Sequence, residues 1–217
     1  MKRLILKEFQ TEIRQQSAVS ALAIYVFSSV FICYTALSVR AGNLDPLTWS
    51  ALFWLIILFS SFGIVGKSFL GERKGILIYY HTLLSPSKLI MAKIIYASML
   101  NLVLTLVGWL TFMTLMGDAL EDHLIFSGAL LLGSAGFGAS LTLLSAIASR
   151  ADNSSVLMAV LGFPVVLSVL VLCIRITKNS IDGLGLDASQ DELLTLAAID
   201  AISAAASYVL FPYIWRS

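Results

Sequence analysis

The stretch Leu89–Gly117, LIMAKIIYASMLNLVLTLVGWLTFMTLMG, carries one charge, Lys93, near its start and is otherwise almost wholly apolar. A helix crosses the hydrocarbon core of a bilayer with about 20 apolar residues, and this run is long enough. Five more stretches qualify by the same test: Ser17–Val39, Thr48–Gly66, Leu124–Ala148, Val156–Ile174 and Leu193–Ile214. A backbone exposed to lipid must satisfy its own hydrogen bonds, so each is expected to be an α-helix. A transmembrane β-barrel would alternate apolar and polar residues, and these runs do not. The composition agrees. Of 217 residues, 59% are hydrophobic and 12% charged, whereas a soluble domain has about 25% charged residues. The fold expected is all-α, with six transmembrane helices.

The charges fix an expected orientation. Lys2, Arg3, Lys7, Arg14, Lys67, Arg73, Lys74, Lys88, Lys93, Arg150 and Arg216 fall on one side of the six spans; only Arg40, Arg175 and Lys178 fall on the other, out of 14 basic residues in all. Basic residues favour the cytoplasmic side, which places both termini there. Asp45, Asp118, Glu121, Asp122, Asp182, Asp187, Asp191 and Glu192 lie on the opposite side. The first apolar run follows a charged segment, is too long for a signal-peptide core and lacks a small-residue cleavage pattern, so it reads as a retained span. Asp45-Pro46 and Ser85-Pro86 read as starts of the second and third spans. Ser189 with Glu192 reads as a capping box before the sixth. The loops are short, leaving no soluble domain of any size.

Residues 1–16 form an expected amphipathic helix, with Ile5, Phe9 and Ile13 on one stripe and Lys7, Glu8, Glu12 and Arg14 elsewhere. Such a helix lies in the membrane interface, as a topology anchor or as an elbow that contacts a partner. Residues 17–217 then make up the six-helix membrane domain. Cys33 and Cys173 each sit in or at the end of an apolar run with no second cysteine at ligand spacing, and read as small hydrophobes.

One inner loop has both length and character: Lys67–Lys88, KSFLGERKGILIYYHTLLSPSK. It opens with Glu72, Arg73 and Lys74, turns at Gly75, runs through Ile76–Leu84 and restarts at Pro86. Its apolar side, including Leu83 and Leu84, and its charged end suit a short helix seated in another protein's groove; a loop with aromatics at the membrane interface fits as well. The segment Phe69–Pro86 with Ala92-Lys93, the stretch Leu130–Ser140 (LLLGSAGFGAS) and the stretch Val160–Leu172 (VLGFPVVLSVLVL) follow one another in order. In that order and spacing the chain resembles the haem exporter protein B family, the membrane subunit of the cytochrome c maturation ABC transporter. The resemblance runs from Leu6 to about Arg175. Where the family often has a second proline after the one matching Pro164, this chain reads Val165-Val166-Leu167-Ser168, so a helix break there would rest on Pro164 alone.

The resemblance implies a non-catalytic permease of the bacterial inner membrane. Its partners would be a cytosolic ABC ATPase docking on Glu72–Pro86, a second permease copy, a haem-handling membrane subunit and a haem chaperone beyond the membrane. Haem would be transported or partner-bound; the residues themselves specify no cofactor and no metal, and nucleic acid is not an expected partner.

Within the spans, Asp200 in LAAIDAISAAA is the one acid deep in an apolar run. Charge there is costly and marks a functional candidate, although the surrounding alanines fit close packing, and a re-entrant start to the sixth span would leave Asp200 near the outer interface. Gly133, Gly136 and Gly138 give the fourth span a small face for helix packing or a subunit interface. This is no nucleotide loop, because no Gly-Lys-Ser/Thr follows and no strand precedes. His81 and His123 fall on opposite sides and cannot jointly hold one haem in a single subunit; His123 alone remains an outer axial-ligand candidate. Trp49, Trp54, Trp109 and Trp215 read as interface anchors. Three other classes stay in view. A b-type cytochrome would need histidines paired within the spans. A secondary transporter would use Asp200, but no internal repeat is evident. An ABC permease for another substrate fits the composition equally.

Overall fold

The computed structural model describes residues 16–38, 45–65, 86–149 and 154–216. They form six α-helices: α1 Gln16–Ser38, α2 Pro46–Val65, α3 Pro86–Met116, α4 His123–Ala148, α5 Ser154–Ile181 and α6 Gly185–Arg216. Each is long and apolar enough to cross a membrane, and the described residues contain no strand. The chain is therefore an all-α, multi-pass membrane protein. The 1–15 part of the amphipathic segment lies outside the described residues, as do Glu72, Arg73, Lys74, Gly75, His81, Leu83 and Leu84 of the inner loop. The two ends of the bundle are named here by their sequence charge: a basic end, where α2 leads to α3, and an acidic end, where α3 leads to α4.

Local chemistry sets the helix ends. Pro46 and Pro86 occupy the first helical position of α2 and α3, where a missing N–H removes no intrahelical bond. Gly117, at φ 82°, closes α3 with its N–H donating to the Met113 carbonyl at 3.1 Å, the left-handed ending that glycine allows. Asp122 caps α4: its carboxylate accepts from the N–H groups of Leu124 (3.0 Å) and Ile125 (3.3 Å).

The structure corrects the sequence reading at the last acidic-end connection. Residues 177–192, between the fifth and sixth apolar runs, are helical apart from a turn at 182–184. Lys178 bridges to Asp182 one turn on, the Leu184 N–H donates to the Asn179 carbonyl at 3.1 Å, and Gly183 (φ 64°) and Gly185 (φ 77°) reverse the chain. Ser189 is consequently inside α6 and caps nothing. Its buried hydroxyl accepts from Asn179 Nδ2 at 3.1 Å. The sixth span begins well before Leu193 and runs to Arg216 as a single helix, without a re-entrant break.

Helix α4 is the axis of the bundle, packing against α2, α3, α5 and α6. Its buried residues include Ala129, Gly133, Gly136, Phe137, Gly138, Ser140 and Leu141. Helix α1 lies at the periphery on α2 and α3, turning Ile24, Phe27, Phe31 and Ile32 outward. In lipid such faces are solvated, so the helices are held by close packing and interhelical polar contacts rather than by hydrophobic burial.

Aromatic rings fill the acidic half of the core. Trp49 meets Phe112 edge-on at 5.2 Å, Phe53 meets Phe112 at 5.3 Å, and Trp109 meets Phe126 at 5.9 Å. Trp49 and Trp54 are only 3% and 0% exposed; they are core residues and not interface anchors. Edge-to-face packing of this kind contributes about 0.5–1.5 kcal/mol per pair beyond burial.

Candidate functional site

The three glycines of α4 each meet a different neighbour. At Gly133, an added Cβ would lie 2.6 Å from Trp54 Cη2 and 2.7 Å from Cys173 Sγ. Trp54 of α2 and Cys173 of α5 thus close over the α4 backbone. The indole cannot easily withdraw, because its N–H donates to the Thr177 hydroxyl at 2.8 Å in a fully buried contact. At Gly138, an added Cβ would lie 2.7 Å from the Ser98 backbone nitrogen and 2.8 Å from its Cα, so α3 and α4 touch backbone to backbone. The approach has the geometry of small-residue packing in membranes.

Gly136 faces Asp200. An added Cβ there would collide with the Asp200 carboxylate, and would come within 3.2 Å of Val169 Cγ1. Asp200 lies about halfway along α6, roughly 22 Å from its Gly185 end at 1.5 Å per residue. Both carboxylate oxygens are shielded from solvent and accept no hydrogen bond. Asp200 therefore sits at mid-bundle, and the alternative placement near the outer interface does not hold. Toward the basic end the same seam continues with the Ser140 hydroxyl donating to the Ser203 hydroxyl at 3.3 Å, and the Ser207 hydroxyl donating to the Ser203 carbonyl at 2.7 Å. Ser140 and Ser203 are both buried, and Ser207 is fully so.

Other sequence candidates fall elsewhere. Pro164 lies on an exposed side of α5, which continues as helix on both sides of it; the Ser168 hydroxyl donates to the Pro164 carbonyl at 2.9 Å. Pro86 starts α3 at the basic end. His123 starts α4 at the acidic end, its Nε2 at 3.1 Å from Asp118 Oδ2. The turn holding Asp118, Glu121 and Asp122 docks on the end of α5, where the Ser180 carbonyl accepts from the N–H groups of Glu121 (3.2 Å) and Asp122 (3.1 Å) and the Ser180 hydroxyl donates to the Asp122 carbonyl at 2.6 Å. Among the described residues no three His, Cys, Asp or Glu side chains converge as a metal-ligand group.

Three features went unread in the sequence: the Trp54–Thr177 pair, the Ser140–Ser203 contact and Asn101. Asn101 on α3 is fully buried, and neither amide atom has a partner. Its signal was present, since an Asn, Thr or Ser inside a long apolar run has few places to satisfy itself except another helix. Comparison with known proteins adds no relative: no family model, no curated protein and no solved structure matches this chain.

Proposed function

We infer that this chain is the membrane subunit of an ABC transporter of the haem-export, cytochrome c maturation type, driven by a separate cytosolic ATPase. The observation that carries the reading is the Glu72–Pro86 segment between α2 and α3. It presents an acidic-basic cluster, a glycine, an apolar run and a proline at the basic end of a six-helix membrane bundle, in the order found in that family. The Gly-rich fourth span supports it, because α4 is the helix around which the bundle packs. The basic end faces the cytoplasm on this reading, which puts the segment within reach of an ATPase. ATP binding closes two ATPase subunits and draws the Glu72–Pro86 segments of two permease copies together. Helices α2 and α3 then move and reshape the face toward the outside, for haem delivery or release of a haem chaperone.

The test is affinity capture of the tagged protein from mild detergent, with co-purifying proteins identified by mass spectrometry. Wild type should bring down an ABC ATPase and a haem-handling membrane protein. Leu83→Glu, which puts a charge into the apolar run, should insert normally and lose the ATPase. Recovery of the chain alone, folded and stable, would sink the assignment.

A further inference from the structure

We propose that the α4–α6 seam is an intramembrane proton-binding site, in which the Asp200 carboxyl, seated against Gly136, holds the proton.

The first ground is that Asp200 has no counter-group. Its two oxygens are shielded and unpartnered, and a carboxylate stripped of water without a cation or donors neutralises rather than bear the cost. The helices packed against α6 are α3, α4 and α5. On α4 the contact is Gly136, which has no side chain, and the one titratable residue of that helix is His123 at its far acidic end. On α5 the titratable group in the same region is Cys173, whose sulfur lies against Gly133, one turn from Gly136; Arg175 and Lys178 lie further toward the acidic end. On α3 the groups are Lys88, Lys93 and Tyr96. Ser98 is level with Gly138, which places Lys93, buried and with a contact of its own, and Tyr96 on the basic side of Asp200. On α6 itself, Asp191 and Glu192 lie more than two turns away toward the acidic end, and Tyr208 and Tyr213 are exposed.

The second ground is the setting. Asp200, Ser203 and Ser207 recur at three- and four-residue spacing, which places them on one face of α6. Ser203 is fixed on α4 by its contact with Ser140, and the Ser207 hydroxyl is spent on the Ser203 carbonyl, so no hydroxyl of this face donates to the acid. The proposal stands independently of any ATPase partner.

Infrared difference spectroscopy on the full chain in lipid nanodiscs reads the proton directly. Wild type minus Asp200→Asn should show one extra carboxylic-acid carbonyl band. Gly136→Ala, which keeps the acid but takes its space, should move that band. Raising the pH should abolish the band. Absence of a carboxylic-acid band, or a band that appears only when sodium is removed, overturns the proton site; the second result would mark a metal-cation site instead. A band that never titrates makes Asp200 a structural acid and overturns the proposal.

Discussion

Replacing Gly138 with alanine tests whether α4 is held by backbone contact. The added Cβ would come within 2.7 and 2.8 Å of Ser98 backbone atoms, against 3.4 Å for ordinary contact. Backbone inside two packed helices has no rotamer to change, so α3 and α4 must separate by about 0.7 Å along a close-packed seam. Overpacking of this kind costs about 1–3 kcal/mol, and the gain of alanine over glycine in a helix returns about 0.5–1 kcal/mol. The net loss is up to about 2.5 kcal/mol, or up to roughly 10 °C in melting temperature for a chain of this size. Gly128→Ala is the control, because its Cβ meets only Leu193 Cδ2 at an ordinary 3.4 Å, leaving the helix gain unopposed. Cys173, fully buried, provides the readout. In a Cys33→Ser background, a fluorogenic thiol reagent reports the temperature at which the core opens. A Gly138→Ala protein that melts with Gly128→Ala, or above it, refutes the backbone-contact argument.

Other contacts make similar commitments. Trp54→Phe keeps a ring in the core but strands the Thr177 hydroxyl, and should cost about 1 kcal/mol; adding Thr177→Val should recover part of that loss in the same melting assay, and strictly additive losses would deny the bond a role. Asp122→Ala removes the acceptor for two N–H groups at the start of α4, and should cost about 1 kcal/mol; faster hydrogen exchange confined to the amides of Leu124 and Ile125 would identify the cap as the cause.

The spans were legible because lipid leaves the chain little choice. Apolar length alone predicts helix, and the six helices fall where the runs do. The acidic-end connection was not legible, because Ser189 and Glu192 satisfy a local rule for starting a helix. A longer-range bond from Asn179 to Ser189, with two glycines at positive φ, started the helix earlier. Trp54 was misplaced for a related reason. Tryptophan prefers the membrane interface when its N–H has only water to bond, but Thr177, far along the chain, supplies a buried acceptor. Asp200 was legible as an anomaly, whereas its neighbours were not: nothing in LAAIDAISAAA states that the acid faces Gly136. That follows from the register of two parallel helices, which is a property of pairs and not of segments.

The same register bears on how a force at the basic end would travel. Helix α3 begins at Pro86, where the proposed docking segment ends, and it meets α4 at Ser98–Gly138, where only the small Ser98 side chain and its backbone face the glycine. A soft interface of long side chains would absorb a small displacement by rotamer changes; a backbone contact transmits it. Gly136 lies only two residues from Gly138 on α4, and faces Asp200. A shift of α3 at Pro86 would therefore reach the acid through α4, the one helix between them, and would carry the α1 packing on α3 and the α5 packing on α4 with it. The two proposals, a partner at the basic end and a proton at mid-membrane, are independent in their grounds, yet the glycines of α4 place them one helix apart. The infrared band of Asp200 thus gives a second reading of the docking segment: its frequency should respond to ATPase binding in the wild type, and should stay fixed in Leu83→Glu.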